Sequence, residues 1–106
     1  MDKRDAVRVP VEVRARFRSQ GVLIDGVVED VSRTGLFLRA SSSISEGSAA
    51  DLDLDLPGEA TLRLAVEVVR IEQRPEGVGL GLRFVARPEW TRPLANFIMR
   101  QHQTLL

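Results

Sequence analysis

The sequence predicts a single all-β domain, a small barrel or sandwich, that ends in one C-terminal helix. Apolar and polar residues alternate with a period of two over most of the chain, as they do in half-buried strands. Short turn-forming segments such as "SQG", "PGE" and "PEG" separate these stretches. The C-terminal stretch instead repeats its apolar residues at helical spacing.

Length and composition suit one globular domain. The chain has 106 residues, of which 43% are hydrophobic and 28% charged, enough for one modest core. We therefore predict one domain over residues 1–106, made of a flexible lead-in at 1–8, a barrel at 9–85 and a helix at 88–105. The absence of cysteine excludes disulfides and thiol catalysis and favours a reducing compartment. No signal peptide or membrane-spanning run is visible, so the prediction is a cytoplasmic protein.

The first three strands are predicted from alternation and from β-branched residues. Residues 9–18 place valines, Ala15 and Phe17 on one face and arginines on the other. "VLIDGVVEDV", residues 22–31, is the second strand, and Gly26 inside it indicates a bulge or bend. "GLFLRA", residues 35–40, is the third strand, and the polar loop "SSSISEGSAA" follows it.

Three further strands are predicted before the helix. "DLDLDL", residues 51–56, directs its leucines inward and an acidic face to solvent, a better interpretation than a calcium loop, whose required glycine is missing. "TLRLAVEVVRIEQR" shifts its phase near Val68 and Val69, which predicts a bulge. "VGLGLRFV" is the last strand. Because its glycines lie inside a strand pattern, they indicate close packing or barrel curvature rather than a phosphate loop.

The C-terminal helix is predicted from proline and apolar spacing. Pro88 or Pro93 can occupy its first turn. The apolar positions that define its inner face are Trp90, Leu94, Phe97, Ile98 and Leu105. His102, the only histidine, is interpreted as a solvated helix residue, because neither a nucleophile elbow nor a histidine cluster exists. No catalytic residue and no metal ligand are predicted.

Charge is balanced overall but unevenly distributed. The formal net charge is zero, which argues against a broad nucleic-acid surface. Arginines crowd the N-terminal segment, and acidic residues gather in the middle of the chain. Arginine presents a planar fork of donors that suits phosphates and guanine edges, so a local anionic ligand remains open.

Two short motifs stand out against this background. Arg4 and Arg8, with three residues between them, lie just before the first strand. Asp30, Ser32 and Gly35 lie in "EDVSRTG", where Asp30 and Ser32 leave one face of the strand end and Gly35 can supply a positive φ at the turn. Taken singly, the first motif is a basic tail and the second a hairpin cap.

Together, R-x-x-x-R and D-x-S-x-x-G in this order and spacing resemble the paired signature of the PilZ domain family. "RVPVEVRARF", "EGSAADLDLDLP" and "GVGLGLRF" extend the resemblance over nearly the whole chain. The resemblance implies a six-stranded antiparallel β-barrel with a C-terminal helix. It also implies a bacterial, non-enzymatic receptor for the second messenger cyclic di-GMP, with no cofactor, that signals to an effector protein, for example in motility regulation.

The resemblance also assigns roles in ligand binding to particular residues. Arg4 and Arg8 would grip phosphates or guanine, with Lys3 adding charge nearby. Asp30 would accept guanine N–H groups or orient an arginine, and Ser32 would bond a phosphate or a guanine. Gly35 would let the backbone approach the ligand. Arg33 and Thr34 fill variable positions and receive no role.

Two other functions stay open. One is a protein-interaction adaptor of the same fold that binds nucleotide weakly or not at all. The other is a small nucleic-acid-binding barrel that uses Arg14, Arg16 and Arg18. The zero net charge and the few aromatic residues disfavour this barrel, because such proteins stack bases on aromatic rings.

Overall fold

Six antiparallel strands close into a barrel, and a helix follows them. The structure, a computed structural model, describes residues 8–85 and 91–105. Its elements are β1 (Val9–Ser19), β2 (Val22–Val31), β3 (Gly35–Ala40), β4 (Ala49–Leu54), β5 (Leu62–Arg74), β6 (Gly77–Phe84) and α1 (Thr91–Leu105). Around the barrel the order is β1-β2-β3-β6-β5-β4, and β4 pairs back with β1. The predicted six-stranded antiparallel barrel with a C-terminal helix is confirmed.

The barrel interior is filled by the inward face of each strand. β1 alternates as predicted, with Val9, Val13, Ala15 and Phe17 buried. Leucines from the other strands complete the centre, each at most 1% exposed: Leu36, Leu38, Leu52, Leu54, Leu64 and Leu80. Since alternation sends every second residue outward, the same strands also supply the charged outer surface.

α1 packs against the barrel with its apolar face. Leu94, Phe97 and Ile98 are buried in the barrel core, and α1 contacts β1. Pro93 lies in the first turn of the helix, where its missing N–H is no loss. His102 is exposed, as predicted. The predicted start at residue 88 and Trp90 lie outside the described residues, and no helix of the described chain is long and apolar enough to span a membrane.

The strand irregularities correct one prediction and confirm another. The bulge or bend predicted at Gly26 is wrong, because pairing runs in register there, with Ala15 opposite Gly26 on one side and Ala40 on the other. A side chain at Gly26 would collide with β3, since a Cβ atom would lie 2.7 Å from the Arg39 carbonyl oxygen. The bulge predicted near Val69 is confirmed, since β5 gains one residue against β6 between Val68 and Arg70.

The acidic face of β4 is not wholly solvated, contrary to the prediction. Leu52, Leu54 and Leu56 are buried as expected, but Asp53 on the outer face is only 5% exposed. Arginine side chains from β1 and β5 cover it and donate to its carboxylate. The hydrogen bond from Arg63, with Arg18 and Arg16 adding positive charge, holds the pKa of Asp53 below its ordinary value.

Candidate functional site

The turn between β2 and β3 is built around a buried serine. Ser32 is 0% exposed, and its Oγ lies 3.1 Å from the Thr34 hydroxyl and 3.3 Å from the Gly35 carbonyl oxygen. The backbone N–H of Thr34 donates to Ser32 Oγ at 3.2 Å. The Ser32 amide donates to the Gly35 carbonyl at 2.8 Å, which closes the turn. This network is that of a serine-capped turn.

Arg8 and Asp30 meet on the outer surface beside this turn. Arg8 directly precedes β1, and Val9 pairs with Val31, so the two side chains emerge next to each other. Arg8 Nε donates to Asp30 Oδ1 at 2.9 Å, and Arg8 Nη2 donates to the same oxygen. Their side chains are 47% and 33% exposed, which leaves both accessible to a ligand. Asp30 thus fixes the direction in which the guanidinium points.

Gly35 serves strand packing rather than a special backbone angle. Its φ is not in the left-handed region, so the positive φ predicted for it is wrong. A Cβ atom here would lie 2.1 Å from the Leu82 carbonyl oxygen of β6, the strand that pairs directly with β3 at this point. Glycine is therefore required at this position for the contact between two strands.

A cavity of about 470 Å³ opens beside Arg8. Its walls come from three strands and the segment before β1, and its lining residues are Arg8, Leu36, Phe37, Val69, Arg70, Gly81 and Leu82. The two arginines bring positive charge to it, and the aromatic ring and aliphatic side chains supply apolar surface. A cavity with a few polar groups on an apolar wall is typical of a small-molecule site.

Phe37, one of these lining residues, lies on the outer face of β3 and is nevertheless only 5% exposed. Its ring is covered by two guanidinium groups, with Arg70 Cζ 5.2 Å and Arg74 Cζ 5.0 Å from its centroid. Both distances lie within the range of cation–π contacts. This cluster was not predicted from the sequence, although Phe37 alternates with the inward residues Leu36 and Leu38 and must therefore face outward.

Glu29 anchors one side of that cluster. Arg74 Nη1 donates to Glu29 Oε2 at 2.8 Å, and Arg39 Nη1 donates to the same oxygen at 3.2 Å. The hydrogen bond from Arg74, reinforced by Arg39, holds the pKa of Glu29 below its ordinary value. Contact with Glu29, and then with Glu72, raises the pKa of Arg74. Arg74 is thereby held in an ion-pair network through Glu29, the residue that precedes Asp30 in the sequence.

The structure brings some of the predicted site residues together and leaves others undescribed. Arg8 and Asp30 are in direct contact, while Ser32 and Gly35 lie beneath them in the turn. Arg4 and Lys3, like the rest of the predicted flexible lead-in before Arg8, lie outside the described residues. Within residues 8–85 and 91–105, no group of histidine and carboxylate side chains could hold a metal ion.

Comparison with known proteins identifies the family of this chain. The family model described as "PilZ domain" matches residues 2–98. The chain therefore belongs to the PilZ domain family. Among curated proteins, no sequence matches it significantly.

Solved structures share the fold at low sequence identity. The PilZ domain of Escherichia coli YcgR, described with c-di-GMP, has a TM-score of 0.80 and 14% identity, and the match covers 98% of this chain and 95% of that one. The Bacillus subtilis inhibitor of motility MotI/DgrA has a TM-score of 0.78 and 20% identity over 97% of this chain. This chain spans only 53% of the Bacillus protein.

The PilZ domain of CeSA from a cellulose-synthesizing bacterium is also similar, with a TM-score of 0.66, 18% identity, and coverage of 94% of this chain and 99% of that one. At these identities the structural likeness establishes the fold alone.

Proposed function

We propose that this chain is a non-enzymatic bacterial receptor for cyclic di-GMP that acts in the cytoplasm. The observation that carries the proposal is the Arg8–Asp30 contact at the edge of the 470 Å³ cavity. It joins one residue from each half of the paired signature, on a barrel of the same fold as a YcgR domain described with c-di-GMP. Membership of the PilZ family supports the same ligand.

The chemistry of the ligand suits this arrangement. Cyclic di-GMP carries two phosphates and two guanines, and an arginine fork can donate in pairs to a phosphate or to the O6/N7 edge of guanine. Asp30 accepts hydrogen bonds from Arg8 in the free protein and can accept them from guanine N–H groups in the complex. Arg4, with Lys3 nearby, would supply further positive charge from the lead-in.

Ser32 and Gly35 belong to the proposed site in a different way. Because Ser32 is fully buried and holds the turn, it supports the position of Asp30 in the free protein. A direct bond from its hydroxyl to the ligand requires the turn to open. Gly35 keeps β3 close to β6 below the turn, so the backbone near the ligand stays compact.

Binding would change the surface that a partner protein meets. The lead-in with Arg4 and Arg8 would close over the ligand against the barrel, and the differential contacts would favour the closed state. The output would pass through an effector protein recognised on this new surface. In the adaptor alternative, the barrel binds a partner protein without nucleotide, and no ligand-driven closure of the lead-in takes place.

The nucleic-acid alternative is disfavoured by ion pairs on β1. Arg18 Nη2 lies 3.3 Å from Asp53, and Arg16 Nη1 lies 3.5 Å from Asp55. Two of the three arginines on which that function would depend are therefore paired with carboxylates, one in β4 and one directly after it. A surface that binds many phosphates needs cations that are free of such partners.

Isothermal titration with cyclic di-GMP tests the proposal. We expect micromolar or tighter binding by the unmodified protein, and loss of at least about tenfold in affinity for Arg8→Ala and for Asp30→Ala, since each removes a charged hydrogen-bonding group. Arg63→Gln is the matched control, because it removes an exposed arginine that pairs with Asp53 and does not line the cavity.

Three outcomes of this titration are informative. Equal losses in all three variants would indicate a general loss of structure rather than the loss of particular contacts and would contradict the site. No heat and no thermal shift at high ligand concentration would overturn the receptor function in favour of the adaptor. Binding of single-stranded oligonucleotides with a steep salt dependence, without dinucleotide binding, would favour the nucleic-acid barrel.

A further inference from the structure

Arg70 faces the same cavity as Arg8, although it lies in neither half of the paired signature. It is located on β5, far from the lead-in in sequence, and its side chain lines the 470 Å³ cavity together with Arg8 and Phe37. The residue is exposed, so its donors are accessible from the cavity. The site therefore has a second cation on a rigid strand.

The bulge in β5 is what directs Arg70 outward. Val68 is buried and pairs with Leu82, and Ile71 packs against the core and pairs with Leu80. Regular alternation would turn Arg70 inward with Val68. The extra residue Val69 shifts the phase, so Val69 and Arg70 are both exposed on the outer face. Bulges commonly redirect side chains next to functional sites.

Gly79 and Gly81 of β6 leave room for the Phe37 ring and for the Arg70 side chain that packs on it; we call this ring and the two glycines the Phe37 seat. A Cβ atom at Gly79 would lie 2.3 Å from the Phe37 ring, so the ring can lie across β6 only because this residue is glycine. Gly81 pairs with both Phe37 and Arg70, and a Cβ atom there would come within 3.2 Å of the Arg70 Cβ atom. Because β6 has no side chains at these two positions, side chains of β3 and β5 contact each other across it.

Arg70 differs from Arg74, the other arginine over the same ring. Arg74 is held by Glu29 and Glu72 and does not line the cavity. Among the described residues no carboxylate pairs with Arg70, whose contact is the Phe37 ring. Arg8, in turn, is compensated by Asp30. Of the two arginines that line the cavity, Arg70 is therefore the one without a carboxylate partner in the part of the chain that the structure describes.

We propose that Arg70 is a ligand-binding residue of this site and donates hydrogen bonds to a phosphate of the bound dinucleotide. The inference rests on the proposed function and adds to it a residue from β5. A guanidinium for which the described residues provide no carboxylate partner, packed on an aromatic ring at a cavity, is pre-organised for an anionic oxygen. Phe37 is the positioning residue, because it holds the guanidinium in place and lies beneath it.

Titration of cyclic di-GMP into four proteins tests the assignment: the unmodified chain, Arg70→Gln, Arg70→Lys and the matched control Arg74→Gln. We expect Arg70→Gln to weaken binding about tenfold or more, the loss of a charge-assisted hydrogen bond. Arg70→Lys keeps the charge without the planar fork, so its affinity is expected to lie between that of the unmodified chain and that of Arg70→Gln. Arg74→Gln removes the same charge from the same ring and is expected to change affinity by less than about threefold, since Arg74 is paired with Glu29 and Glu72 and does not line the cavity.

Salt dependence separates a phosphate contact from a structural effect. If Arg70 contacts a phosphate, the ratio of affinities between the unmodified chain and Arg70→Gln shrinks as salt rises from about 0.05 M to about 0.5 M, because ions screen exposed charges. A merely structural role would instead lower the melting temperature of Arg70→Gln and leave that ratio independent of salt, which would overturn the assignment.

The remaining outcomes distinguish this inference from the function on which it rests. If Arg8→Ala loses binding while Arg70→Gln retains it, the receptor function stands and the role of Arg70 is wrong. Equal losses in Arg70→Gln and Arg74→Gln would assign the effect to the Phe37 seat as a whole and contradict a direct contact. Absence of binding by the unmodified chain would overturn both proposals together.

Discussion

Ser32 has a structural role that can be separated from a ligand contact. Its hydroxyl accepts a hydrogen bond from the Thr34 amide and donates within the turn, all at 0% exposure. Ser32→Ala removes the acceptor of the Thr34 amide and the donor to the Gly35 carbonyl, so we predict a loss of about 1 kcal/mol in the free energy of unfolding, measured by urea denaturation. Because the turn positions Asp30, affinity for cyclic di-GMP should also fall.

The comparison of stability with affinity decides which role dominates. Thr34→Val is the matched control, since it removes the hydroxyl on the other side of the same hydrogen bond and keeps the amide. If Ser32→Ala loses binding while its unfolding free energy equals that of the unmodified chain, the hydroxyl acts on the ligand directly. Retention of full affinity with lower stability would limit Ser32 to the turn.

Asp53 should make stability depend on pH. Its pKa in the folded protein lies below the ordinary value, first because of the hydrogen bond from Arg63. The folded state therefore releases the proton more readily than the unfolded state does. The resulting stability is complete above about pH 4, the ordinary aspartate pKa, and is lost as the pH falls through the lower folded value. We predict that Asp53→Asn removes about 2 kcal/mol of stability at pH 7 and progressively less at acid pH.

Chemical denaturation at a series of pH values measures this difference. Asp51→Asn is the control on the same outer face of β4, because Asp51 is exposed while Asp53 is 5% exposed. We expect Asp51→Asn to change the stability at pH 7 little, because an exposed carboxylate contributes little to stability. A difference between Asp53→Asn and the unmodified chain that stays constant down to pH 2 would contradict the charge-based explanation.

At the scale of elements, the contact between β3 and β6 depends on Gly35. A Cβ atom there would lie 2.1 Å from the Leu82 carbonyl oxygen, which is backbone and cannot turn away. We predict that Gly35→Ala destabilises the barrel by about 3 kcal/mol or more, as overpacking against backbone does. Gly81→Ala is the comparison, because its Cβ atom would meet the Arg70 Cβ atom at 3.2 Å, a contact that a small shift relieves.

Thermal denaturation compares the melting temperatures of Gly35→Ala and Gly81→Ala. A melting temperature for Gly35→Ala close to that of Gly81→Ala would mean that β3 and β6 separate easily. In that case the start of β3, next to the turn after Asp30, would be more deformable than its pairing with β6 indicates. A much lower value for Gly35→Ala would show that this motif glycine is required by the fold as well as lying near the site.

Some strand irregularities could be predicted from the sequence and others could not. The bulge at Val69 interrupts an otherwise regular apolar alternation, so it leaves a signal. Two irregularities near Glu29 leave no such signal. β1 shifts its register against β2 between Pro10 and Val13, and β2 shifts its register against β3 between Val28 and Asp30, yet the valines of β1 keep their period of two. Burial of Asp53 was equally hidden, because it depends on arginines from two other strands.

At the scale of the whole molecule, one contact of the site could be predicted from the sequence and another could not. Arg8 and Asp30 could be predicted to meet, because β1 and β2 form a hairpin whose register pairs Val9 with Val31. The seat of Arg70 could not, because Phe37 reaches β5 across β6, and only the closed order of strands brings them together. Residues joined by neighbouring strands leave a pattern in the sequence, whereas residues joined across a third strand do not.

Coupling between the lead-in and the barrel yields the last prediction. Deletion of residues 1–8 should leave a folded barrel, since β1 begins at Val9 and the exposed Arg8–Asp30 pair is worth at most about 1 kcal/mol. The truncated chain should bind cyclic di-GMP no better than a full chain that carries Arg4→Ala and Arg8→Ala. For the unmodified chain, ligand at about 100 times the dissociation constant adds roughly 2.7 kcal/mol, which raises the melting temperature by about 10 °C in a domain of this size. Both altered chains should melt cooperatively at a temperature that the ligand does not change. An equal rise for the truncated chain would mean that the barrel alone holds the nucleotide, and a truncated chain without a cooperative transition would make the lead-in part of the fold.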